Sequence, residues 1–439
     1  MRRFAPLLFP LVLGACGLLP DWLGAPEPPP LPGERLSVLP LGTVPEPDPR
    51  FEDLAVRLPP PQPTPNWPQA GGFPDHAMHH VAVPGPLQQA WVADVGEGSS
   101  SERRLLAPPV VADGRVFALD ANSRITALDA NTGERLWRVN LTPKRERGGG
   151  LGGGLAVYRG RVYAATGYGE VVALDAATSE PAWRRSLGAA VRSPPVVSRG
   201  RVFTVTYDNQ LYALAAEDGR VLWTHEGIEE VAGLLGGASP AVADELVVAA
   251  YSSGEIYALR VENGRVAWSH SLSFTGRVGA VSAIGDIDGS PVIDRGLVFA
   301  VSHGGLLVAV DLRRGVRLWE QDLSGIQTPW VAGDFIYMVT ADGVLVCLAR
   351  EQGGIVWVRP LPRFLDPDRK RNPVFWSGPI LVSDRLIVVG THGVALSVSP
   401  YTGRVLGRFK LPSGTEIPPI AAGGTLFILT GIGKLVALR

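Results

Sequence analysis

The chain has 439 residues, with 53 Gly and 39 Pro but only two Cys; charged residues make 19% and the formal net charge is −1. That length can bury a sizeable core, as two or three domains or as one repeat array. The near-neutral balance argues against general electrostatic binding to nucleic acid or anionic lipid, and two Cys cannot build a disulfide-dense scaffold or a four-thiolate zinc site.

Arg2 and Arg3 precede an apolar run over residues 4–15, which ends at Cys16. The run is too short to span a bilayer and reads as a signal peptide over residues 1–15. Leu13-Gly14-Ala15-Cys16 resembles a bacterial lipobox. Such a Cys carries a diacylglyceryl group and can take a third chain on its freed amine, and two or three chains hold stably where one does not. Gly17 rather than Asp follows, which in similar lipoproteins points to the outer membrane of a Gram-negative envelope. Residues 16–68 carry sixteen Pro between Pro20 and Pro68. Pro removes ladder donors and blocks helix, so this stretch is expected to be an extended, semi-rigid tether at ~3.1 Å per residue. The folded part is then expected over 69–439.

From there one unit recurs. A strand, a turn and a Trp read ITALDANTGERLW at 125–137 and VVALDAATSEPAW at 171–183, followed by LYALAAEDGRVLW at 211–223 and IYALRVENGRVAW at 256–268. LLVAVDLRRGVRLW at 306–319, VLVCLAREQGGIVW at 344–357 and VALSVSPYTGRVLG at 394–407 continue the series, and KLVALR ends it at Arg439. Before each lies a second strand, such as RVFAL at 115 and RVYAAT at 161, and before that a Pro-containing third, such as SPPVVSRG or SPVIDRG. The segments are short, β-branched and aromatic, and are punctuated by Gly turns, so they read as strands. Trp91, Trp137, Trp183, Trp223, Trp268, Trp319 and Trp357 mark the period, with Gly407 in the eighth place, at intervals of 38–51 residues. Four strands per repeat of about 40–50 residues is a β-propeller blade.

The expected fold is therefore all-β, an eight-bladed propeller of four-stranded antiparallel blades. The series opens with a lone Trp strand at Trp91 and closes with KLVALR, which lacks one. Pairing these two strands would complete the last blade and close the ring. The Trp residues are expected to cover the joints between blades. In an antiparallel blade, the connection from the outermost strand to the next blade shares a face with the second-to-third turn. Long connections of the first kind fall at 224–239, 269–290 and 358–378, so binding should concentrate on that face.

The Ala-Leu-Asp-Ala-x-Thr-Gly-x-x-x-Trp unit resembles the pyrroloquinoline-quinone-type propeller repeat. Combined with the lipobox, the Pro-rich tether and eight repeats, the whole chain resembles the BamB lipoproteins of the outer-membrane β-barrel assembly machinery. NWPQAGG at 66–72, SPVIDRG at 290–296 and IQTPWVAGD at 326–334 are similar to its alphaproteobacterial branch. The resemblance implies a non-enzymatic scaffold without cofactor, lipidated at Cys16. It would be held on the periplasmic face of the outer membrane as part of the BAM complex, binding the POTRA domains of BamA through loops on one face. Asp286 and Asp288 match the family's Asp-x-Asp contact loop, and Leu234 and Leu235 match the neighbouring apolar loop. The family's Arg beside that Leu is replaced by Leu235, which puts an Arg-mediated ion pair in doubt and implies a more apolar contact.

Two alternatives remain at this stage: a periplasmic quinoprotein dehydrogenase, or an envelope propeller with another partner. The dehydrogenases need a cofactor at the ring axis, Ca²⁺ ligands and an Asp base, and many have adjacent Cys. Here Cys347 stands alone in VLVCLA and reads as a buried small hydrophobe. Asp286-x-Asp288-Gly289 lacks the further oxygens and the later Glu of an EF-type loop, and reads as exposed carboxylates facing a partner. His76, His79 and His80 cluster without a second group of ligands, and read as exposed loop residues. Gly148–Gly154 is no P-loop, since no Lys-Ser/Thr follows.

Overall fold

The computed structural model describes residues 45–146, 150–230, 235–272 and 286–439. The leader, Cys16, residues 17–44 and Leu234 lie outside the described residues. The repeats form eight four-stranded antiparallel sheets arranged as propeller blades. In blade 1, strand A is Val110–Ala112, B is Arg115–Leu119, C is Arg124–Asp129 and D is Arg135–Asn140. Blades 2 to 7 span 153–186, 196–226, 241–271, 292–321, 330–360 and 376–410. Blade 8 uses Ile420–Ala422, Thr425–Leu429 and Lys434–Leu438, and its outer strand is Gln89–Asp94 from the other end of the chain. The closure expected from the sequence is present, with Trp91 opposite Ala437 and Asp94 opposite Lys434.

Burial explains the strand chemistry. Strands A to C are buried almost throughout, whereas strand D of blade 1 is exposed or half-buried at every position. B and C therefore carry mostly Val, Leu, Ile, Phe and Ala, with polar residues mainly at their ends or as a buried Thr such as Thr126, and D is the most polar strand. The Trp of D sits opposite a small residue of C, as in Ala127–Trp137, Ala213–Trp223 and Cys347–Trp357, and a bulge follows each pair. That register turns the indole onto the next blade. There Nε1 donates to a backbone carbonyl: Trp137 to Ala176 at 3.1 Å, Trp223 to Val261 at 3.0 Å, Trp268 to Leu312 at 2.7 Å and Trp357 to Pro400 at 3.0 Å. The ring lies on the C–D turn of that blade, at a left-handed position that Gly fills in every such turn but that of blade 2, where Ser179 takes φ +64°. A Cβ on Gly219 would come within 2.5 Å of Trp183, and its φ is +71°. Gly407 is the informative exception. It faces the blade closed by the two chain ends, which has no C–D turn to cover, and a Cβ there would meet nothing within 4 Å. Cys347 is fully buried in an Ala position, as expected of a small hydrophobe.

Two features differ from the sequence expectation. The connection between blades 6 and 7 contains an extra hairpin, Phe364–Asp366 paired with Arg371–Pro373. And the distal part of the segment read as a spacer packs onto the blades, from Asp48 onward, whose N–H donates to Ile355 at 2.8 Å. Trp67 is only 3% exposed. Isolated bridges such as Trp67 with Val111 suffice for this: the Pro-rich chain offers its carbonyls and its few N–H groups to strands that have spare partners.

Candidate partner face and axial cavity

Strand A of every blade faces the ring axis and presents unpaired backbone groups there. Residues 64–83 supply partners to all eight blades, in blade order. Thr64 accepts from Gly423 of blade 8 at 2.8 Å, Trp67 exchanges two bonds with Val111 of blade 1 at 2.7 and 2.8 Å, and Pro68 accepts from Val157 of blade 2 at 2.7 Å. The Gln69 side chain donates to Val197 O of blade 3 at 2.9 Å and accepts from its N–H at 3.0 Å. Pro74 and Asp75 accept from Val242 of blade 4 and Ile293 of blade 5 at 2.6 and 2.8 Å. His79 accepts from Trp330 Nε1 of blade 6 at 2.8 Å, and Val81 pairs with Leu381 and Ser383 of blade 7. The segment is an axial plug that circles the channel once. At its turn, a Cβ on Gly72 would meet Met78 Sδ at 2.1 Å.

The histidines belong to this plug, which corrects their reading as three exposed loop residues. His76 is 4% exposed and His80 1%. His76 Nδ1 lies 2.8 Å from Pro291 O, and His80 Nδ1 lies 2.6 Å from Pro59 O while its Nε2 accepts from Asp384 N–H at 2.9 Å. Burial lowers the His76 pKa to about 4. His79 is the most exposed, with Nε2 3.5 Å from Asp294. Among the described residues no group of His, Cys, Asp or Glu is arranged to hold a metal.

The A–B and C–D turns lie on one face and the B–C turns and inter-blade connections on the other, as the strand order requires. On the latter face a cavity of about 430 Å³ opens above the plug. Trp67, Gly71 and His76 form its floor, Trp330 and Trp376 its walls, and Leu235, Ile326 and Phe375 its mouth. Leu235, Ile326 and Phe375 are 60%, 38% and 57% exposed.

Of the four expected contact residues, Leu235 is exposed as anticipated and Leu234 lies outside the described residues. Asp286 is not the exposed carboxylate that was expected: it is 1% exposed, and its Oδ2 accepts from Arg192 at 2.7 Å. Asp288 is 13% exposed and 3.8 Å from the same guanidinium. Arg192, between blades 2 and 3, supplies an Arg–Asp ion pair from a loop that the sequence did not point to. Its stem lies under Gly237, where a Cβ would meet Cγ of Arg192 at 2.5 Å, and its head lies over Tyr207 at 5.5 Å. Ser239 N–H donates to Ser290 Oγ at 2.9 Å and Ser239 Oγ to Pro194 O at 2.8 Å. The two loops and the Arg192 loop are thus one unit, with the Arg–Asp pair inside and Leu235 outside.

Burial, and then the neighbouring Asp286 carboxylate, push the Asp288 pKa up to about 7. The unfolded chain releases that proton near the ordinary aspartate value of 3.8, so the folded state loses stability as pH rises from there through about 7. Asp288→Asn removes that loss. The variant is expected to gain stability relative to the parent between pH 5 and pH 8, read as the difference in melting temperature at the two values. A constant difference would show that Asp288 is ionised throughout.

The quinone of the related dehydrogenases is a tricarboxylate and needs cationic partners. The ionisable residues lining the cavity are His76, Asp288 and Glu416, with neither Lys nor Arg among the described lining residues. The donor set does not fit such a cofactor, and the plug fills the axis beneath.

Comparison with known proteins gives the family. The family model described as outer membrane protein assembly factor BamB matches residues 88–146 and 121–359. The BamB of Escherichia coli (strain K12) is 30% identical over 80% of this chain and 88% of its own, and that of Alkalilimnicola ehrlichii 31% over 80% and 87%. The crystal structure of Moraxella catarrhalis BamB superposes with a TM-score of 0.67 at 19% identity, covering 81% of this chain and all of that one. A quinohemoprotein alcohol dehydrogenase from Comamonas testosteroni reaches 0.66 at 14% identity over 85% and 80% of the two chains, a likeness of fold alone. With the profile covering more than half of the chain, this protein belongs to the BamB family of outer membrane protein assembly factors.

Proposed function

We propose that the chain is a non-enzymatic scaffold of the outer-membrane β-barrel assembly machinery. It is anchored by lipid on Cys16 after removal of residues 1–15, and binds the POTRA domains of BamA with its long-loop face. Family membership supports the machinery, and the mouth of Leu235, Ile326 and Phe375 supports the face. Exposed apolar residues grouped beside a cavity are what a protein interface uses as its centre. The observation that carries the reading is Leu235: it is 60% exposed on a loop braced from beneath by Arg192. Asp286 and Asp288 shape that loop, and Asp288 lines the cavity. The tether between lipid and ring is then 16–44, shorter than the composition implied.

The three segments likened to the alphaproteobacterial branch meet at the ring axis. NWPQAGG is the first half of the plug, and SPVIDRG and IQTPWVAGD are the strand-A segments of blades 5 and 6 that receive it.

Two results test the function. Leu235→Glu should remove BamA from the protein purified from membranes without changing its melting temperature, because exposed substitutions usually cost within ~0.5 kcal/mol. Cys16→Ser should move the protein out of the membrane fraction or block processing. Retention of BamA by the first variant, or unchanged membrane association and processing in the second, contradicts the respective assignment.

A further inference from the structure

The axial cavity has a chemistry of its own. At about 430 Å³ it is the size of a ligand pocket, not a packing defect. Its ionisable lining is acidic: Asp288 lies inside and Glu416 is exposed at the rim. Asp288 Oδ1 is buried without a hydrogen-bond partner among the described residues, 3.8 Å from a guanidinium already bonded to Asp286. On the floor, His76 Nε2 is buried without a hydrogen-bond partner among the described residues. Aromatic walls surround these groups, and Phe375, 57% exposed, stands at the mouth. Buried polar groups left without partners are costly, and an acidic, aromatic-walled cavity discriminates by charge as well as by shape.

We propose that this cavity is a socket for a basic side chain, Arg or Lys, presented by a polypeptide segment whose neighbouring residues are apolar. The cationic head meets Asp288 and Glu416, its stem lies between Trp376 and Ile326, and an apolar neighbour covers Phe375. An extended segment suits the opening because it can enter end-on between the long connections. The inference rests on the reading that this face meets protein partners. It adds a second site, which selects sequence, beside the Leu235 contact.

The test uses the mature full chain in detergent and two fluorescein-labelled peptides, Gly-Ser-Phe-Arg-Leu-Ser-Gly and the same peptide with Glu for Arg, titrated by anisotropy. At pH 8, above the Asp288 pKa of about 7, the Arg peptide should bind at least about tenfold more tightly, since a like charge set against a buried carboxylate is strongly disfavoured. Glu416→Gln, an exposed change that leaves the fold intact, should weaken the Arg peptide several-fold (roughly threefold or more), and Asp288→Asn further. Equal binding of the two peptides, no binding of either, or an Arg-peptide affinity unchanged in both variants overturns the socket. Leu235→Glu separates the two readings. If it abolishes BamA co-purification while the peptides bind alike, the partner face stands and the socket falls. If BamA is retained while the Arg peptide is selected, the socket stands without the Leu235 contact.

Discussion

A chain beginning at Leu87, without the plug, is expected not to yield a soluble monomeric ring. The eight A strands would each lose partners at the axis, and the cavity floor would vanish with Trp67 and His76. Unpaired strand edges promote association, and buried backbone groups without partners are costly. The milder variant Trp67→Ala isolates one contact. Trp67 is 3% exposed, its ring stacks on Trp330 with centroids 6.1 Å apart, and its backbone pairs with Val111. Truncating such a residue costs ~3–5 kcal/mol, so Trp67→Ala should melt several degrees lower while remaining folded at room temperature. A plug-less chain that elutes as a monomer and melts like the parent would show that the ring stands without residues 45–86.

Deleting Gly433–Arg439 is expected to be as damaging from the other end. Lys434–Leu438 is the third strand of blade 8 and pairs with Thr425–Leu429 on one side and Gln89–Asp94 on the other. Its loss leaves two edges unpaired, detaches the N-terminal strand and removes Leu435, Val436 and Ala437 from the core. The Lys434–Asp94 ion pair of 2.8 Å is lost as well, but it is exposed and contributes little. Ring closure couples all blades, so the whole domain should melt at lower temperature in a single broadened transition and aggregate. Size-exclusion chromatography with thermal denaturation reads both effects, and a parent-like profile would contradict closure as a source of stability.

The repeat was legible because it is dictated locally. A buried strand needs apolar residues, a tight turn favours Gly, and an indole covers that turn in blade after blade, with Ser179 the one replacement of the Gly. Blade count, closure and the face of the long loops follow from spacing alone. The plug was not legible. Its contacts are one or two hydrogen bonds to each of eight blades, some through side chains, and they impose no period on residues 64–83. Its Pro content reads as a spacer because Pro cannot join a ladder, yet a carbonyl such as that of Pro68 or Pro74 is a sufficient partner. The burial of His76 and His80 follows from the same oversight. Asp286 was misread because Asp-x-Asp-Gly looks like an exposed loop, and its partner Arg192 is 94 residues away. An unmatched Arg in the short connection between blades 2 and 3 was the available signal. The hairpin at 364–373 was hidden by Pro367 and a run of charges, which in isolation read as loop.

The most direct test of the account is site-specific photo-cross-linking in intact cells, with a photoreactive residue at position 235 on the long-loop face or at position 134 in the C–D turn of blade 1 on the opposite face. Leu235 lies at the mouth of the axial cavity and Glu134 in a short exposed turn. The account predicts a cross-linked band containing BamA from position 235 and none from position 134. A BamA cross-link from position 134 and none from position 235 would place the partner on the other face of the ring.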